Sequence, residues 1–239
     1  MIEVENLSKK FPGVLAVDGI SFRVNQGEVF GLLGPNGAGK TTTLRMVLSI
    51  LAPSSGRIRV DGIDVQTAPL QARARIGCVL EDNGVYDRMT AEENVAFFGQ
   101  LYGLDRQRLS SRIEELFGVL EMKEFARRRA GTFSKGMKQK VAVARALVAD
   151  PPVLIMDEPT AGLDVPTQRL ILDLLKGYRR QGKTILYSTH IMSEAEDICD
   201  RVAIIDRGRI RAIGTLPELK EQTRRAHLED VFLQLVRTE

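Results

Sequence analysis

The feature that most narrows the possible folds is a glycine-rich run, Gly34-Pro35-Asn36-Gly37-Ala38-Gly39, closed by Lys40, Thr41 and Thr42. Residues 28–33 precede it and read as a strand, and residues 40–51 follow it as a helix. Glycines let the backbone curl until successive N–H groups face inward, and the helix aims the positive end of its dipole at the same point. A phosphate suits that cradle. Lys40 supplies a mobile cation for the β- and γ-phosphates of a nucleotide, and the Thr41 hydroxyl can bind Mg²⁺. The alternative, a glycine turn in a chain that binds no nucleotide, fits the flanking strand and helix less well.

The rest of the chain reads as an α/β core around this unit. Ile2, Val4 and Leu7 open a β region, Val14–Val24 continues it, and Asn25-Gln26-Gly27 turns into the strand before the loop. Pro53-Ser54-Ser55-Gly56 stops the first helix, and residues 57–60 with the Asp61-Gly62 turn suggest a short hairpin. From about residue 84 to 132 the pattern is helical, with Leu109, Ile113, Leu116, Phe117 and Leu120 at the spacing of one face. This segment reads as a helical insert, a subdomain of about 84–135 within a single domain spanning 1–239. Helix and strand then alternate again. A helix over residues 138–149 stops at Asp150-Pro151-Pro152, and the apolar runs 153–156, 184–187 and 202–205 read as buried strands. Leu170, Leu174, Leu175 and Tyr178 mark another helix, and two short helices are expected in a tail of about 215–239.

Val153-Leu154-Ile155-Met156-Asp157-Glu158 carries two carboxylates at the carboxyl end of a buried strand, where ligands bind in open α/β sheets. Asp157 suits a hard cation, and Glu158 can orient a water molecule as a general base. Two acids ending a strand are otherwise simply solvated; after a phosphate loop the functional reading is preferred.

Composition restricts the remaining classes. Apolar residues make up 44% and charged residues 27%, which argues against disorder and fibrous repeats, and the 239 residues suffice for one sizeable core. The longest apolar stretches fall far short of the ~20 residues of a membrane span. Ile2-Glu3-Val4-Glu5 does not resemble a secretory signal, so a cytosolic setting is expected. The 34 basic and 31 acidic residues leave a net charge of +3, too small to imply a nucleic-acid partner, and none is expected. Arg127-Arg128-Arg129 and the basic residues 207–211 read as solvated surface. Cys78 and Cys199 are too few and too far apart for a four-cysteine zinc site; both are expected reduced and partly buried.

Three further motifs carry a resemblance. Phe133-Ser134-Lys135-Gly136-Met137 precedes a helix and the acidic strand; Ala161-Gly162-Leu163-Asp164 follows Glu158-Pro159-Thr160; and Ser188-Thr189-His190 ends the next strand. With the phosphate loop, this ordered set resembles the ATPase subunits of ATP-binding-cassette (ABC) transporters. The motifs look like that family's signature loop, D-loop and switch histidine. Residues 133–140 and Leu228-Glu229-Asp230-Val231-Phe232 suggest the prokaryotic sodium- and drug-exporter subgroup.

The resemblance implies a P-loop NTPase core, with a mixed sheet flanked by helices, an N-terminal antiparallel β subdomain and a helical insert. It implies an ATPase using ATP and Mg²⁺. Gly34, Pro35, Asn36, Gly37, Ala38, Gly39, Lys40, Thr41 and Thr42 would hold the nucleotide, with Phe11 stacked on adenine, although Phe11 could instead be a core side chain. Glu158, His190 and Lys40 would be catalytic, and Thr41, Asp157 and Glu81 would serve Mg²⁺. Two subunits, as a homodimer, would close head to tail so that Ser134 and Gly136 of one meet the γ-phosphate held by the other. A separate transmembrane permease would dock on the helical insert, leaving the ATPase peripheral on the cytoplasmic side of the membrane. Three positions depart from the family pattern: Lys135 and Met137 replace glycine and glutamine, Glu81 replaces the Q-loop glutamine, and Phe11 replaces the commoner tyrosine. Soluble ABC ATPases of DNA repair or the ribosome, and a cassette that binds ATP without turnover, are the competing classes.

Overall fold

A computed structural model describes residues 1–82 and 84–236; the last three residues of the expected tail lie outside the described residues. Strands β1 (Ile2–Phe11) and β2 (Val14–Val24) run antiparallel, from Ile2 opposite Val24 to Phe11 opposite Val14. Ile2, Val4 and Leu7 are all buried although their spacing slips by one residue. The slip is a bulge: the register shifts between Val4 and Leu7, with Asn6 at φ 47°, and this returns Leu7 to the inner face. Strands β4 (Ser55–Val60) and β5 (Ile63–Asp64) complete this sheet in the order β2-β1-β4-β5.

The second sheet contains β3 (Val29–Leu33), β6 (Ile76–Val79), β7 (Val153–Asp157), β8 (Thr184–Thr189), β9 (Arg201–Asp206) and β10 (Arg209–Thr215), in the order β10-β9-β3-β8-β7-β6. All neighbours are parallel except β10 on β9, so the sheet is mixed. Every residue of β3, β7 and β8 is buried, as expected for strands covered on both faces. Side-chain alternation divides them between two cores. Phe30, Leu32, Ile155 and Leu186 face the first sheet and helix α1 (Lys40–Val47). Val29, Leu33, Leu154, Met156, Ile185 and Tyr187 face the opposite core. Each fully buried aliphatic side chain contributes about 1.5–3 kcal/mol, so this two-sided burial dominates the sheet's stability.

After α2 (Pro69–Arg73) and β6, helices α3 (Ala91–Leu101) and α4 (Arg106–Val119) occupy the stretch expected to be a helical insert. Short 3₁₀ turns follow at Lys123–Phe125 and Ala130–Thr132. Leu109, Leu116, Phe117 and Leu120 are buried as the helical spacing predicts. Helices α5 (Lys135–Leu147), α6 (Val165–Arg180) and α7 (Met192–Ile198) contribute to the second core, joined by α8 (Leu216–Thr223) and α9 (Leu228–Val236).

Several element bounds differ from the sequence reading. Helix α1 stops at Val47 rather than continuing to residue 51, because Ser49 takes the left-handed φ of 52°. Helix α5 starts three residues before the expected Lys138, since the Ser134 hydroxyl caps it by accepting from Met137 N at 3.2 Å. The basic segment 207–211 runs into β10, where Arg209 pairs with Asp18 at 2.6 Å and Arg211 with Asp206 at 3.0 Å. Cys199 is buried, whereas Cys78 of the edge strand β6 is exposed, contrary to the expectation that it is partly buried.

Candidate functional site

Strand register decides which loops meet. Leu33, the last residue of β3, lies opposite Thr189 of β8; Asp157 of β7 lies opposite Ser188; and Val79 of β6 lies opposite Met156. The parallel order β3-β8-β7-β6 therefore delivers the glycine-rich loop, His190, Asp157-Glu158 and Glu81 to one edge of the sheet. This is the position where crevices form beyond the carboxyl ends of parallel strands.

The loop is shaped by contacts that only glycine permits at two positions. A Cβ on Gly34 would lie 2.4 Å from Ile205 O, and one on Gly39 would lie 2.6 Å from Ala16 O while forced to a φ of +106°. Gly39 is the N-cap of α1 and offers no side-chain cap, so the first N–H groups of the helix remain available to an anion. Lys40 folds over the loop, its Nζ donating to Gly34 O at 2.7 Å and Pro35 O at 3.2 Å. A cavity of about 400 Å³ lies above it, lined by residues 35–37 and 39–42 with Ala16, Glu81 and Glu158. Ala38 and Gly34 sit beneath it, both buried.

Glu158 is placed by a backbone reversal. It leaves β7 at φ 47°, a region that costs a non-glycine residue on the order of 1 kcal/mol, and its N–H donates to Ser188 O at 3.1 Å. The reversal brings the carboxylate between two partners: Lys40 Nζ lies 3.2 Å from Oε1, and His190 Nδ1 lies 2.9 Å from Oε2. Asp157, only 1% exposed, accepts a 2.5 Å hydrogen bond from Ser188 Oγ through Oδ1. Its Oδ2 is buried without a hydrogen-bond partner.

Phe11, Ser134 and Gly136 do not join this cavity's lining. Phe11 ends β1, 39% exposed, with Lys9 Nζ 5.2 Å from its ring centroid. It is therefore not a core side chain. Ser134 is exposed at the start of α5, and Gly136 packs near the first turn of α6, where a Cβ would meet Thr167 Oγ1 at 3.5 Å. Asp164 caps α6, accepting from Thr167 N at 2.9 Å, and that bond holds its carboxyl below the ordinary aspartate range.

The family described as "ABC transporter" matches residues 17–161 of this chain. The chain belongs to the ABC transporter family. It is 45% identical over 243 residues to the ABC transporter ATP-binding protein NatA of Bacillus subtilis (strain 168), covering 99% of both chains. It is 44% identical over 213 residues to the Nod factor export ATP-binding protein I of Paraburkholderia xenovorans (strain LB400), covering 89% of this chain and 70% of the relative. Among solved structures it resembles a dimeric ATP-binding cassette in a post-hydrolysis state bound to ADP and Pi. That match has a TM-score of 0.84 and 27% identity, over 90% of this chain and 99% of the other.

This ABC protein is an ATPase, and its α/β architecture is the P-loop fold anticipated from the motifs. The residues at the acidic strand end fit Mg²⁺, because the orphaned Oδ2 of Asp157 is a buried anionic oxygen of the kind that hard cations prefer. Three neighbours of the site escaped the sequence reading. Ala16 lines the cavity from β2, which no local pattern announces. Ser188 bonds Asp157, a role that its place in the histidine motif does not announce. The buried carboxylate of Glu194 follows His190 by four residues and was unread.

Proposed function

We propose that this ATPase energises an export transporter through nucleotide-driven closure of two subunits. The observation that carries the reading is that the cavity and the signature-like loop lie apart on one chain. Its cavity is lined by the phosphate loop and Glu158, while Ser134, exposed, and Gly136, half-buried, lie outside that lining on the same chain. A second copy arranged head to tail brings its Ser134 hydroxyl, the free N–H groups at the start of α5 and Gly136 to the γ-phosphate. The likeness to a dimeric cassette bound to ADP and Pi supports this, and the Nod factor export relative supports the direction of transport.

Within the site the residues divide the work. Lys40 and residues 34–42 bind the phosphates, Phe11 stacks on adenine, and Glu81 lines the γ-phosphate end of the cavity. Asp157, with the Thr41 hydroxyl and Glu81, would hold Mg²⁺, which supplies charge neutralisation of the phosphates when bound. Lys40 shifts from Glu158 Oε1 to the γ-phosphate as ATP enters. The freed carboxylate then takes the proton of the attacking water, and His190 holds the carboxylate in line through Oε2. Loss of the γ-phosphate removes the contacts across the interface, and the subunits reopen.

Residues 84–135 form the subdomain that receives a transmembrane partner, and helices α8 and α9 of the tail pack on the core through Leu219, Leu228 and Val231. No helix among the described residues is long and apolar enough to cross a membrane. In this reading the partner is a separate permease, with this ATPase peripheral on the cytoplasmic face. The decisive variant is Glu158→Gln, measured for turnover and for assembly with MgATP. We expect ATP binding to persist, turnover to fall by on the order of 10²-fold or more, and a nucleotide-bound dimer to accumulate on size exclusion. A wild-type rate removes the base assignment, and a strictly monomeric ATP-bound form removes the closure mechanism.

A further inference from the structure

Behind the reaction centre lies a buried carboxylate that the mechanism above does not use. Glu194, in the first turn of α7, is 6% exposed, and no lysine or arginine pairs with it among the described residues. It is held instead by three hydroxyls. Thr160 Oγ1 donates to Oε1 at 2.6 Å, Tyr187 OH donates to Oε2 at 2.8 Å, and Thr189 Oγ1 donates to Oε2 at 3.0 Å. Burial, and after it the neighbouring Glu194 carboxylate, raise the Tyr187 phenol well above its ordinary value, so it stays a donor.

The three donors come from the segments that carry the two catalytic side chains. Thr160 stands two residues after Glu158, and Thr189 immediately precedes His190. Thr189 Oγ1 also accepts from Ile191 N at 3.0 Å, so its hydroxyl clamps the backbone on both sides of His190. The turn at Pro159-Thr160 is fixed from outside as well: Gln139 Nε2 of α5 donates to Pro159 O at 2.6 Å, and Gln168 Nε2 of α6 donates to Thr160 O at 3.4 Å. The path from Glu158 through Thr160, Glu194 and Thr189 to His190 closes on itself at the 2.9 Å His190–Glu158 contact.

We propose that Glu194 is a positioning residue that fixes the distance between His190 and Glu158 by tying Thr160 and Thr189 to one carboxylate. The proposal rests on the catalytic reading of His190 and Glu158. A buried carboxylate without a cation is retained only when it is fully hydrogen-bonded, and this one spends its three bonds on Thr160 after Glu158 and on Tyr187 and Thr189 of the strand that leads into His190. Because Glu194 does not line the phosphate cavity, it acts on alignment and leaves nucleotide affinity alone.

The test uses the purified full chain at concentrations where the wild type is active, comparing E194Q, H190A and the double variant by ATPase rate against ATP concentration. Thr189→Val and Thr160→Val, which each delete one hydroxyl, carry the same comparison if E194Q folds poorly, and thermal unfolding is followed for all. We expect E194Q to lower kcat on the order of tenfold or more with KM for ATP changed by less than about threefold. In the H190A background the same change should cost less than about twofold, since with the histidine gone there is no His190–Glu158 distance left to fix. Thr189→Val should lower kcat in the same selective way. A wild-type kcat in E194Q and Thr189→Val beside a lost rate in H190A overturns the inference alone. So does an equal fold loss in both backgrounds, or a loss confined to KM. A wild-type rate in H190A itself overturns the histidine's role and the inference with it.

Discussion

At the scale of single residues, the phosphate loop shows that two glycines in one motif answer to different forces. Gly37 needs freedom of φ, at +82°, with no atom within 4 Å of a Cβ placed on it. Gly39 needs both φ and space, because Ala16 O stands in the way at 2.6 Å. Gly37→Ala should therefore cost about 1–2 kcal/mol of backbone strain. Gly39→Ala should cost more, since the clash is with backbone that cannot rotate away, and it should displace Lys40 as well. Chemical denaturation of both variants, with titration of a fluorescent ATP analogue, checks the ranking; equal losses would mean that the contact with β2 is immaterial. Ala16 thus becomes part of the site through its carbonyl oxygen, a feature invisible to any reading of side-chain chemistry.

Helix ends are where single elements meet function. Asp164 begins α6 and terminates the D-loop, and its carboxyl is held low chiefly by the Thr167 N–H. Glu93 and Glu218, in the capping boxes of α3 and α8, are lowered in the same manner by the N–H groups of Thr90 and Thr215. A carboxyl lowered on folding stabilises the native state above its unfolded value, here 3.8 for Asp164 and 4.5 for the glutamates. That contribution is lost as pH falls through the depressed native values. The melting temperature should therefore fall below about pH 4, and the gap between wild type and D164N should narrow as the acid limb is descended. A gap that is constant with pH would show that the Asp164 charge plays no part in the cap. Ser134 caps α5 through its hydroxyl, and in the proposed function the same hydroxyl meets a partner's nucleotide. Ser134→Ala should cost about 1 kcal/mol of stability through the cap. The much larger effect expected on hydrolysis separates the two roles when unfolding and turnover are measured on the same sample.

For the whole molecule, the decisive property is that the phosphate cradle and Ser134 occupy different places on the chain. K40A and S134A chains should each be nearly inactive alone. Mixed, they should regain activity, because one of the two composite sites in a mixed dimer then has an intact cradle and an intact Ser134. Specific ATPase activity of the wild type should rise with protein concentration before levelling off, by mass action on dimer formation. No recovery on mixing, together with a rate per chain independent of dilution, would return the reaction centre to a single chain. The sequence made the motifs legible in their order and chemistry, from the phosphate loop to His190, and the spacing of residues 109–120 marked a buried helix face. It was less informative about β6, where Gly77 and Cys78 interrupt an apolar run. Gly77 is there because a Cβ would lie 2.1 Å from Ala146 O, a demand set by helix α5 crossing the strand.

The chain's local chemistry determined the anion cradle, the acidic strand end, the caps of its helices and the two-sided burial of its central strands. Each of these depends on neighbours within a few residues, or on alternation along one strand. Only the tertiary structure decided that β8 lies between β3 and β7. That placement brings Lys40, Glu158 and His190 into contact, orphans one oxygen of Asp157 and gathers Thr160, Tyr187 and Thr189 around Glu194. Parallel strands are joined through distant crossovers, so their order follows from how the two cores pack and leaves no periodic trace in the sequence.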